Sequence, residues 1–139
     1  MPTITEQKLE LNKSGTDNVE VKVHYVAHFS ILERNLMKLG LTFNEQIDLF
    51  GIDGRNSKFL KLVRSGPLQV TAATTEKTVD LTQTVPRAVL DEDTGIFFED
   101  DDEIVCRIQI STVGFPLAIK NDFTDQVILS EQGVFNPNP

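Results

Sequence analysis

The chain has 139 residues, 21 acids against 13 bases for a net charge of −8, and a single cysteine. At this size one core is the default. The acidic balance disfavours nucleic acid and anionic membranes as general partners, and one cysteine excludes an intrachain disulfide. No apolar run approaches the roughly 18 residues that a membrane span needs. The start MPTITEQKLELNK has neither the basic beginning nor the apolar stretch of a signal peptide. The reading is a single domain over residues 1–139, cytoplasmic and without a membrane span.

Residues 19 to 29 place Val19, Val21, Val23, Tyr25, Ala27 and Phe29 on one parity, with Glu20, Lys22, His24 and His28 on the other. That alternation predicts a long half-buried strand. Ser30 and Glu33 have capping-box spacing, and Leu32, Leu36 and Leu39 follow at helical intervals before Gly40. The pattern predicts a short helix over 31–39 that buries its leucines. In LTFNEQIDLFGI, Phe43, Ile47 and Leu49 share a parity and Asp53-Gly54 marks a turn, so a second strand is expected.

SKFLKLVRSGP reads as a second short helix, with Ser57 before it and Gly66-Pro67 behind it. From residue 68 onward LQVTAATT, TVDLTQTVPRAVL, EIVCRIQIST, FPLAIK and DQVILSE alternate like strands, and Pro86 marks an edge or bulged position. EQGVFNPNP favours an extended, flexible tail from about residue 132. There is no repeat and no strand-helix alternation. The expected fold is mainly β, an antiparallel β-sandwich of about seven to nine strands with one or two short helices.

No nucleophile elbow, phosphate-binding loop, dinucleotide-binding glycine pattern or HExxH occurs. His24 and His28 share a strand face about 13 Å apart, too far to ligate one metal. Cys106 lies on the apolar parity of Ile104, Ile108 and Ile110, where a thiol acts as a small hydrophobe. With no Trp, and Tyr25 on a core parity, a carbohydrate-binding surface is disfavoured. Arg55, Lys58, Lys61 and Arg64 form a basic block without an acid, which would fan around half a helix as a solvated face or contact an acidic partner.

Asp91 to Glu103 (DEDTGIFFEDDDE) holds eight acids and no base, so the rest of the chain is neutral overall. Clustered carboxylates suit calcium, which takes six to eight oxygens. The candidate ligands are Asp91, Asp93, Glu99, Asp100 and Asp102, with Asp48 or Asp53 completing the shell from another loop. The Asp91-x-Asp93 spacing resembles the loops of calcium-binding sandwich domains of the C2 type over about a dozen residues. An EF-hand is excluded, because the sixth position from Asp91 is Ile96 where glycine is required. The plain alternative is a solvated acidic loop. Within it, Ile96, Phe97 and Phe98 are either a buried strand or an exposed tip that enters a partner.

Three functions stay open. The first is a non-catalytic binding or protein-interaction module, with a calcium-binding acidic loop and no cofactor otherwise. The second is a structural subunit of a homo-oligomer, in which the acidic block of one copy meets the basic block of the next. The third is a carboxylate-dependent enzyme, which needs Asp91, Asp93 or Glu103 partly buried in a cleft. The expected partner is another protein or a second copy, with no nucleic acid, and no enzyme activity is expected.

Overall fold

A computed structural model describes residues 2–53, 56–90, 102–113, 119–123, 127–130 and 133–135. The chain runs β1 (Thr3–Ser14), β2 (Asn18–His28), α1 (Ile31–Lys38), β3 (Thr42–Asp53), β4 (Asn56–Pro67) and β5 (Glu76–Pro86). It continues through α2 (Arg87–Leu90), β6 (Asp102–Val113), β7 (Ile119–Phe123), β8 (Val127–Ser130) and β9 (Gly133–Phe135). One sheet has the order β1-β2-β5; the other has β4-β3-β6-β8-β9, with β7 also pairing β6. Every pairing is antiparallel.

Period-two alternation builds the core between the sheets. β2 supplies Val19, Val21, Val23 and Tyr25, β3 supplies Phe43, Ile47 and Leu49, and β6 supplies Ile104, Cys106, Ile108 and Ile110. Residues opposite one another in a sheet share a face, and the pairs Ile47 with Ile108 and Leu49 with Cys106 keep these side chains in one layer. Each fully buried aliphatic side chain stabilises the fold by about 1.5–3 kcal/mol relative to exposure. The architecture is the antiparallel β-sandwich that the alternation predicts. Val26 is also buried although it lies on the opposite parity of β2.

Two local expectations are corrected. Residues 57–66 are not helical but belong to β4, whose register against β3 shifts twice, between Ile47 and Asp48 and again between Leu49 and Phe50. Each shift inserts an extra residue in β4, first Leu60 and then Val63, and those insertions produce the three-residue spacing that resembles a helix. In α1 the capping box forms as expected: Glu33 N–H donates to Ser30 Oγ at 3.1 Å and Ser30 N–H donates to Glu33 Oε1 at 2.9 Å. That box turns Glu33 inward, with Leu36 and Met37 packed against the core, and it leaves Leu32 and Leu39 67% and 76% exposed. The leucines are therefore not buried as a set. In the stretch read as a tail from 132, Gly133–Phe135 pair with β8.

The two sides of the sandwich differ. β1 lies against β8 and β9 of the other sheet. It also carries an irregularity between Thr5 and Lys8, with Glu6 in the left-handed region at φ 56°. On the opposite side β4 and β5 are the outermost strands of their sheets, and α2 touches both.

These placements predict that Leu32→Lys changes stability by no more than about 0.5 kcal/mol, whereas Ile47→Ala costs about 2–5 kcal/mol. Urea unfolding of both variants checks this, and a large loss in Leu32→Lys contradicts the orientation of α1.

Candidate functional site

A cleft of ≈ 330 Å³ opens between β4 and β5, lined by Glu45, Arg64, the end of β4 and the two residues after it (65–69) on one side and by Lys77–Asp80 on the other. Its floor contains a buried carboxylate. Glu45 shares the parity of Phe43, Ile47 and Leu49, so its side chain points between the sheets and is only 4% exposed. A buried carboxylate is costly unless hydrogen bonds and an opposite charge satisfy it. Three donors do so. The Tyr25 hydroxyl donates to Glu45 Oε2 from β2 in the facing sheet, and Arg64 donates through Nε to Oε1 at 2.7 Å and through a terminal nitrogen to Oε2 at 3.1 Å. The fork of Arg64 thus grips the carboxylate through both oxygens.

The electrostatics follow from this geometry. Burial pushes the Tyr25 hydroxyl far above the ordinary phenol range, and donation to Glu45 adds to the shift. Its hydrogen bonds to Glu45 hold the Arg64 guanidinium in its charged form. Burial likewise raises the Cys106 thiol, with Asp48 and Glu45 adding to the effect. A nucleophile needs the opposite shift, so neither Tyr25 nor Cys106 is activated. At the cleft rim, His24 Nδ1 and Asp80 Oδ1 lie 2.6 Å apart. His28 pairs instead with the Thr5 hydroxyl at 2.8 Å. The two histidines occupy separate hydrogen bonds on the face where alternation places them.

A second polar group lies on the outer face of the larger sheet. Asp48 is fully buried and accepts from Arg107 at 2.6 Å and from Gln46 at 3.0 Å. The Arg107 guanidinium also sits 4.8 Å above the Phe50 ring, and Phe50 meets Phe59 edge to face at 5.8 Å between centroids. Among the described residues, Asp48 Oδ1 has no hydrogen-bond partner. Engaged in this way, Asp48 is not a ligand on a loop, which corrects its place in the expected calcium shell.

Of the candidate calcium ligands, Asp91, Asp93, Glu99 and Asp100 lie outside the described residues, as do Ile96, Phe97 and Phe98. Asp102 begins β6, and its side chain, like those of Asp53 and Glu103, is outside the description. Among the described residues no three His, Cys, Asp or Glu side chains cluster to hold a metal. The sequence reading missed Glu45 and its pairing with Arg64, which it named only as part of the basic block. Two signals pointed to them: an acid on the core parity of β3, and a core tyrosine whose hydroxyl requires a partner.

No family model, curated protein or solved structure matches the chain significantly.

Replacing Arg64 by Met leaves the Glu45 carboxylate with Tyr25 alone and is expected to cost about 1–3 kcal/mol; Tyr25→Phe, which leaves the Arg64 fork in place, should cost about 1 kcal/mol. Equal losses in urea unfolding contradict this order. The raised thiol and phenol also set a pH dependence. Unfolding lets both ionise at their ordinary values, so their contribution is complete below about pH 8.5 and is lost as pH rises. The loss begins in the thiol range, and the phenol joins above about pH 10, each with a slope of about 1.4 kcal/mol per pH unit. Cys106→Ala should flatten the alkaline limb between about pH 8.5 and 10, and an unchanged slope contradicts the burial of the thiol.

Proposed function

We propose that this chain is a non-catalytic binding module that holds an extended segment of another protein at the open side of its sandwich. The observation that carries this reading is the pair of long outermost strands, β4 and β5, lying on one side with an open cleft between them. An edge strand presents a row of backbone N–H and C=O groups toward a potential partner strand, and recognition by strand addition uses those groups for affinity and the flanking side chains for specificity.

The chemistry of the cleft supports binding over catalysis. Three of the four charged side chains that line it are engaged, Glu45 with Tyr25 and Arg64, and Asp80 with His24, and Lys77 is the fourth. Both potential nucleophiles in the interior are held protonated. What the cleft offers is shape and fixed hydrogen-bonding groups.

Selection of ligands from an unbiased peptide library tests the reading. Selected peptides should lose about tenfold or more in affinity, near 1.4 kcal/mol, when Gly66→Trp fills the cleft from its position opposite Glu45 on β4, where a Cβ meets open space. Ligands whose affinity is the same for the wild type and Gly66→Trp contradict the placement of the site.

A further inference from the structure

β4 carries a two-sided chemical pattern that depends on its irregular register. Lys58 lies opposite Gly51, Lys61 opposite Leu49 and Arg64 opposite Ile47. Leu49 and Ile47 face the core, and opposed residues share a face. The inserted residues Leu60 and Val63 turn a three-residue spacing into a strict alternation, so all three bases lie on the face toward the gap between the sheets. Phe59 opposite Phe50 and Leu62 opposite Asp48 lie on the other face, 54% and 43% exposed. The edge is therefore basic on one side and apolar on the other.

The charges are uneven. Arg64 is neutralised by Glu45, whereas no ion pair among the described residues involves Lys58, Lys61 or, across the cleft, Lys77. β4 contains no acid at all. A positive strip whose lysines have no ion pair among the described residues favours a partner with a local acidic match.

Resting on the binding reading above, we infer that the segment taken by β4 is an extended peptide in which acidic and apolar residues alternate. Its backbone pairs with the outer edge of β4. Its carboxylates face Lys58, Lys61 and Lys77, and its apolar side chains cover Phe59 and Leu62. The alternation of a strand, two residues per repeat, matches the alternation that the two insertions impose on β4.

The test uses fluorescently labelled peptides that alternate glutamate with valine, their counterparts with lysine in place of glutamate, and glutamate peptides N-methylated at alternate residues. The glutamate peptide should bind at least about tenfold more tightly than the lysine peptide. The double variant Lys58→Glu with Lys61→Glu should reverse that preference. N-methylation of whichever alternate set faces β4 should abolish binding, while methylation of the other set is tolerated. Lys58 is exposed and Lys61 half-buried, and the melting curve of the variant verifies that it is folded. Equal binding of the two charge types, or indifference to methylation of either set, overturns the inference while leaving the wider binding reading to the library selection. Salt-sensitive self-association of the full chain that depends on Lys58 and Lys61 assigns the edge to a second copy and also overturns it. Absence of binding by any of the peptides rejects strand addition at β4.

Discussion

The carboxylate of Glu45 is the constraint around which the open side of this sandwich is organised. It lies in the core layer, where an unmatched charge is not tolerated, and its partners come from different strands: Tyr25 from the facing sheet and Arg64 from the neighbouring strand. Apolar packing between the sheets is largely non-directional, and many small displacements of one sheet over the other bury similar area. A hydrogen bond from the Tyr25 hydroxyl to Glu45 is directional. It fixes where β2 stands relative to β3, and the fork of Arg64 fixes where β4 stands beside them.

That arrangement accounts for the shape of β4. For Arg64 to reach Glu45 it must face the gap between the sheets, yet Val63, its neighbour in sequence, also enters the core. Consecutive residues of a regular strand point to opposite faces. The inserted residue at Val63 resolves the conflict, and the earlier one at Leu60 does the same for Leu60 and Lys61. The consequence is a strand whose bases share one face and whose Phe59 and Leu62 share the other. A structural requirement in the core thus produces a chemically sorted edge.

The legible parts of this molecule were those whose information is local. β2 was readable from the alternation of Val19 through Phe29, and the start of α1 from the Ser30 and Glu33 spacing, because strand parity and capping involve neighbours in sequence. β4 was misread because insertions opposite a partner strand are a property of the pair: Lys58, Lys61 and Arg64 have the spacing of a helix until β3 is placed beside them. The exposure of Leu32 and Leu39 depended on the rotation of α1, which the inward-facing Glu33 sets. The Glu45 site was partly legible, since an acid on a core parity and a buried tyrosine each require a partner. Their mutual pairing, between residues twenty positions apart on different sheets, was not.

The central claim is that the outer edge of β4 accepts an added strand, and amide hydrogen exchange tests it most directly. In the free protein, the β4 amides not paired with β3 should exchange rapidly, while those of β3, flanked on both sides by strands, are protected. Addition of the alternating glutamate-valine peptide should slow the outward amides of β4 and leave those of β1 unchanged. Protection that develops on α1 or on β1, with β4 still exchanging at its free rate, would contradict the account.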